Sequence, residues 1–268
     1  MRSQRCLVSG IRAPLLGVAA LIVITAWTGE TQAETGTLRM RFVYGGPMAP
    51  KLDDIEPNRD VAFCGKHDIP DESLLVDPDT KAIANVILYV YTGRGGSDLP
   101  AMEPGNKNHI LANDKCRFDP HIVIAQVGDT LEVTNPDDVG HNANISFFKN
   151  TPQNPNIPPN GSVKFELAEP EPAPIPVQCN IHPWMLAKLV VLDHPFGAVS
   201  GPDGVIEIEG LPVGELNFRV NHESAKIDDV IVEGKEESWR RSRVDIDIKA
   251  GMNDLGDVVI PADAFDVN

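Results

Sequence analysis

The chain has 268 residues, with 23 basic against 39 acidic side chains and a formal net charge of −16. A surface this acidic repels phosphate backbones and anionic lipid, which makes nucleic acid and acidic membrane poor partners. Hydrophobic residues make up 42%, which excludes a disordered chain, while 22 Gly and 23 Pro argue against a helical bundle and for turns and short strands.

The first segment reads as an address. Arg2, Arg5 and Arg12 are followed by an uncharged stretch from Ala13 to Gly29, almost wholly apolar between Leu15 and Trp27. Thr31-Gln32-Ala33 then offers a small-x-small cleavage site, the layout of a secretory signal peptide over residues 1–33. The apolar run is shorter than the ~20 residues that comfortably span a bilayer. A periplasmic or secreted protein without a membrane span after cleavage is therefore expected, with an uncleaved anchor as the alternative. Cleavage would leave 20 basic and 38 acidic residues, a charge of −18, and three cysteines: Cys64, Cys116 and Cys179.

The rest of the pattern is β. Residues 37–44 alternate and stop at Gly45-Gly46. Residues 84–91 form an apolar strand, with Val86, Leu88 and Val90 on one side and Ile87, Tyr89 and Tyr91 on the other. Residues 121–134 read as two strands turning at Gly128-Asp129, and strands follow at 162–167 and 186–192. Pro-rich loops at 151–160 and 169–176 bracket the strand at 162–167, and the second stiffens the approach to Cys179. Beyond His194-Pro195, residues 201–220 have a hairpin pattern with turns at Pro202–Gly204 and Pro212–Gly214. No long amphipathic helix is read, and a short one around Glu236 to Arg243 is the most the pattern allows, with short strands at 243–249 and 257–260. An all-β chain of sandwich type follows, with a boundary near residue 194. The last 75 residues are thin for a separate module, and packing against residues 34–80 is the alternative.

The chemistry concentrates in Cys179-Asn180-Ile181-His182-Pro183-Trp184-Met185. A thiolate, an imidazole and a thioether within seven residues suit a trigonal His2Cys copper site with a weak axial Met. The second imidazole must come from elsewhere, and His141, which follows the turn Asn135 to Gly140, is the candidate. Zinc is the alternative ion, for which Met is a poor fourth ligand. With Cys179 given to the metal, oxidising compartment and parity leave Cys64 and Cys116 as a disulfide. The other reading of that pair, a second metal or redox site, lacks a C-x-x-C spacing. His67, His109, His194 and His222 read as structural, and His121 as structural or at the rim of the site.

GHNANISF (140–147) together with CNIHPWM (179–185) resembles the cupredoxins, the type 1 blue copper proteins. The C-x2-H-x2-M spacing is similar to the amicyanin ligand loop, and the His141-Asn142 pair is shared with plastocyanin-like members. The resemblance spans about residues 82–193. It implies a Greek-key cupredoxin sandwich there, one copper ion held by His141, Cys179 and His182 with Met185 axial, and Asn142 bracing the ligand loop. Asn180 stands where the family commonly has a hydroxyl residue, and its bond to Asn142 is the point of departure. By the same resemblance His182 is the electron port, and Pro183 and Trp184 form an apolar docking patch around its edge. Residues 34–81 then form an N-terminal β extension. Residues 194–268 resemble a carboxypeptidase-regulatory-like or transthyretin-like sandwich through DGVIEIEGLPVGELNFRV.

The expected function is single-electron transport rather than catalysis, by itself or as the redox subunit of a larger enzyme system. The charge and the resemblance suggest a basic redox partner such as a c-type cytochrome. An independent copper enzyme would need further His-x-His sites, and none is present. The remaining alternative is a non-redox module, either copper-binding or an extracellular β-sandwich that mediates interactions.

Overall fold

The strand Thr35–Tyr44 sets the logic of the fold. Its even positions Leu38, Met40, Phe42 and Tyr44 are buried, while Arg39 and Arg41 point outward and pair with Asp254 and Asp257 on the neighbouring strand. Period-two alternation of this kind buries one face of a strand. In this computed structural model the described residues are Gly10 and 34–266. Gly10 apart, the leader expected over residues 1–33 lies outside them. Among the described residues no helix is long and apolar enough to cross a membrane.

Two β-sandwiches follow from the strand pairing. In the first, a five-stranded sheet runs in the order Val205–Pro212, Thr35–Tyr44, Gly251–Ile260, Asp229–Val232, Lys235–Ser238. It closes over a four-stranded sheet ordered Gly197–Val199, Ile87–Val90, Gly214–Asn221, Arg243–Ile248. Phe42, Leu88, Ile208, Phe218 and Val258 meet between them.

The second sandwich carries the Cys179 loop. One sheet runs Ser162–Glu166, Thr130–Thr134, Asn108–Asp114, Arg117–Asp119. The other runs Ile122–Gln126, Leu186–Leu192, Ile175–Gln178, Asn144–Ile145. Leu111, Phe118, Leu131, Val177 and Leu189 fill the space between. A two-stranded ribbon, His141–Asn142 with Asn156–Ile157, lies at one end.

The junction uses both faces of two strands. Val190 and Leu192 turn away from the second core to meet Ile87, Tyr89 and Ile122. Burial on both faces explains why Leu186–Leu192 reads as an almost unbroken apolar run. A polar latch lies beside it. Glu223 accepts from His121 Nε2 at 2.8 Å and from Lys188 Nζ at 3.2 Å.

Three expectations are corrected. The strand at 84–91 divides its faces as expected, but it pairs with strands after residue 194 and not with the sandwich that carries Cys179. Thr35–Tyr44 does the same, so residues 34–44 supply a strand to the C-terminal sandwich, the packing against residues 34–80 given above as the alternative. The hairpin expected over 201–220 is open. Val205–Pro212 and Gly214–Asn221 lie in opposite sheets, and Gly214, at φ 127°, carries the chain across. Their inward residues, Ile206, Ile208 and Leu211 on one and Leu216, Phe218 and Val220 on the other, share one core. Finally, Glu236–Arg243 is not helical. Arg241 and Ser242 have φ of 60° and 55°, which no right-handed helix accommodates. Among the described residues the α-helix is the single turn Val61–Cys64.

Candidate metal centre

The ligand loop begins where Ile175–Gln178 ends and closes where Leu186–Leu192 begins. These strands pair antiparallel, with Gln178 opposite Leu186, so the loop between them is pinched at its base. The Cys179 N–H donates to the Met185 carbonyl at 3.2 Å, and the Met185 N–H to the His182 carbonyl at 2.9 Å. Asn142 braces the other side. Its Oδ1 accepts the N–H of Asn180 at 2.8 Å and of Ile181 at 3.4 Å, and lies 3.5 Å from the Cys179 sulfur. The link between Asn142 and the residue after the cysteine is thus made by the Asn180 backbone. The Asn180 side chain accepts from Asn144 instead.

His141, Cys179 and His182 converge. Their ligand atoms lie within 4.8 Å of one another. The Cys179 Sγ is 3.9 Å from His141 Nδ1 and 3.7 Å from His182 Nδ1. Both imidazoles are fully buried, and Cys179 and Met185 are each 1% exposed. Metal–sulfur and metal–nitrogen bonds of about 2.3 and 2.0 Å, as zinc makes, allow such a sulfur and nitrogen to share one ion. The donor set of two imidazoles and a thiolate, with a buried thioether in the same loop, fits copper in a His2Cys arrangement.

The outer nitrogen of each imidazole is held by a carboxylate. His141 Nε2 lies 2.9 Å from Asp137 Oδ2, and His182 Nε2 lies 2.9 Å from Asp60 Oδ2. Asp137 also accepts the N–H groups of Lys115 and Cys116 at 2.7 and 2.9 Å. Burial opposes its charge, but the bonds from His141, Cys116 and Lys115 outweigh it and hold the carboxyl below its usual range. Burial likewise opposes a charged His141, yet Asp137 and Cys179 together raise it. For Cys179, burial pushes the thiol up, and hydrogen bonds with the two imidazoles overcome this and bring it down to about 5. The site therefore presents a thiolate at neutral pH, the form that binds metal.

Cys64 and Cys116 form the expected disulfide. Cys116 also reaches the ligand loop, because its carbonyl accepts the Trp184 indole N–H at 2.9 Å. Trp184 is half-buried with its ring 5.2 Å from that of His182, edge on. Pro183 is exposed, as is Ile181. The His182 edge, expected to open into the patch of Pro183 and Trp184 as an electron port, is corrected: the ring is fully buried and Asp60 stands against its outer nitrogen. His121 is 6% exposed and belongs to the latch with Glu223.

Sequence reasoning missed both carboxylates. Asp137 had a local signal, four residues before His141 in the same turn. Asp60 had none beyond its nearness to Cys64.

No protein-family model matches this chain, and no curated protein matches it in sequence. Solved structures similar to it include a copper(I) amicyanin variant at 18% identity and TM-score 0.29, covering 31% of this chain and 81% of that one. An oxidised amicyanin variant is similar at 20% identity and TM-score 0.29, covering 31% and 81%. A copper-containing nitrite reductase from Thermus scotoductus SA-01 is similar at 18% identity and TM-score 0.30, over 38% of this chain and 26% of that one.

Proposed function

We propose that the protein is an exported type 1 copper protein that carries single electrons between redox partners. The supporting observation is the buried convergence of His141 Nδ1, His182 Nδ1 and the Cys179 sulfur, with the thiol brought down to about 5. His141, Cys179 and His182 would hold the ion, with Met185 as the weak fourth ligand. Copper bound there supplies a one-electron couple between Cu(II) and Cu(I).

The chain's own residues serve that role by staying still. The pinched loop, the Asn142 brace and the two carboxylates fix the donors before any ion arrives. Donors fixed in this way move little when the charge of the site changes by one. Burial of all four side chains excludes water, which suits electron passage better than substrate binding. The exposed Ile181 and Pro183 of the loop offer a small apolar surface, suited to a weak and short-lived encounter. The acidic chain favours a cationic partner, of which a basic c-type cytochrome is one example.

A catalytic role would require a second metal position. Among the described residues the other cluster of ligand-type side chains is Cys116, Asp137 and His141. It shares His141 with the first and has its sulfur in a disulfide. A redox titration of the copper-loaded protein tests the carrier reading. One electron should pass reversibly per chain through repeated cycles. Copper that binds but does not cycle would move the reading to a non-redox copper-binding module.

A further inference from the structure

Asp60 and His182 lie 122 residues apart in sequence, yet the carboxylate occupies the outer nitrogen of the imidazole at 2.9 Å. The His182 side chain is fully buried, whereas that of Asp60 is 46% exposed. The carboxylate therefore stands between the ring and solvent.

Three tethers keep it there. The Asp60 carbonyl accepts the N–H groups of Phe63 and Cys64 at 2.8 and 2.9 Å, which starts the turn Val61–Cys64. Cys64 is bonded to Cys116, whose carbonyl holds Trp184 of the ligand loop. The Ile55 N–H meets the Ile69 carbonyl at 2.8 Å and closes the segment on itself. Asp60 also sits at φ 44° and ψ 38°, a left-handed conformation that Asn and Asp tolerate better than other side chains.

We infer that Asp60 is a positioning residue of the redox centre, fixing the His182 imidazole and biasing the copper couple toward Cu(II). The inference rests on the copper-carrier reading above. A histidine whose far nitrogen donates to a carboxylate is locked in one tautomer and one orientation, and becomes a stronger ligand. Here that lock turns Nδ1 toward Cys179. The negative charge behind the ring also favours the more highly charged ion, an effect that solvent on the open side of the carboxylate weakens and the buried ring between them preserves in part. Asp137 holds His141 from within its own turn, but Asp60 comes from a segment outside the sandwich strands. Residues 55–69 are on this account a working part of the centre and not a covering.

Asp60→Asn tests this in the full chain. Asparagine keeps the left-handed backbone and an acceptor oxygen, and removes the charge. Affinities for Cu(II) and Cu(I) are measured separately with competing chelators, and the potential by spectroelectrochemistry. Cu(II) affinity should fall by roughly 10-fold or more, with Cu(I) affinity little changed. The potential should then rise by ~59 mV per tenfold. Asp60→Glu should restore part of the loss. An intact thiolate-to-copper absorption with both affinities and the potential unmoved would overturn the role of Asp60 alone. Absence of that absorption in the parent protein would overturn the carrier reading and this inference together. Should the Asn variant not fold, nitrogen NMR of the parent Cu(I) protein decides. A protected, hydrogen-bonded Nε2–H on His182 is expected, and a rapidly exchanging one refutes the contact.

Discussion

Trp184 donates its indole N–H to the carbonyl of Cys116 at 2.9 Å, which ties the ligand loop to the disulfide that anchors residues 55–69. A side chain from inside the C-x2-H-x2-M segment thus reads the position of a strand connection 68 residues upstream. Loop, disulfide and Asp60 segment form one mechanical unit.

The disulfide closes a separation of 52 residues. A bridge of that span constrains the unfolded chain, and removal typically costs about 2–4 kcal/mol. Cys64→Ser with Cys116→Ser should lower the urea midpoint accordingly, and should raise amide exchange around Asp60 before the second sandwich unfolds. Equal exchange in the two proteins would show that the segment is held without the bridge.

In the metal-free protein Cys179 should titrate near 5, because the two imidazoles outweigh the effect of burial. The ultraviolet absorbance of the thiolate, followed against pH, checks this. His141→Ala should move the midpoint upward, since it removes the hydrogen bond that contributes most to the lowering. A midpoint in the ordinary thiol range in the parent protein would contradict the geometry.

The latch at the junction gives a pH signature. Burial resists charge on Glu223, but His121 and Lys188 outweigh it and pull the carboxyl from 4.5 to about 2. A depressed carboxyl contributes stability that is complete above its unfolded pKa and is lost as pH falls through the folded one. Its window is therefore pH 4.5 down to about 2, with an upper figure of roughly 3 kcal/mol. Burial pushes His222 the other way for a base, from 6.5 to about 4. Unfolding lets it take up a proton, so stability falls from pH 6.5 toward 4 and then levels. Denaturant titrations should show both slopes. Glu223→Gln should flatten the lower one and, by removing a negative charge that raises His222, carry the upper one to lower pH, whereas His222→Gln should flatten the upper.

Phe218 is fully buried in the first sandwich and takes no part in the core around Cys179. Phe218→Ala should cost about 3–5 kcal/mol and leave the copper absorption unchanged. A shifted absorption would mean that the C-terminal sandwich acts on the centre.

The legibility of the sequence follows the range of each interaction. The loop is seven contiguous residues, and its strands are marked by alternation and proline, so Cys179, His182 and Met185 stand out in the sequence as ligand-type side chains, of which Cys179 and His182 converge with His141. His141 was legible from the strand and turn before it. Alternation in Thr35–Tyr44 and Ile87–Val90 disclosed which faces are buried, but it carries no label for the partner strand. The sheets consequently join residues from both ends of the chain, and Val205–Pro212 and Gly214–Asn221 separate where a hairpin was expected. The run Glu236–Arg243 is charged apart from Ser238, Trp239 and Ser242, and its left-handed residues left no mark on that pattern. Asp60 meets His182 only through tertiary structure. Parity gave the Cys64–Cys116 bridge and hence the neighbourhood, but nothing local distinguishes Asp60 from the acidic residues around it.

Visible absorption and electron paramagnetic resonance of the Cu(II)-loaded protein, with Cys179→Ser beside it, test the central claim most directly. An intense thiolate-to-copper band and narrow copper hyperfine splitting, both lost in the variant, are the predicted result. A pale spectrum that Cys179→Ser leaves unchanged would contradict the account.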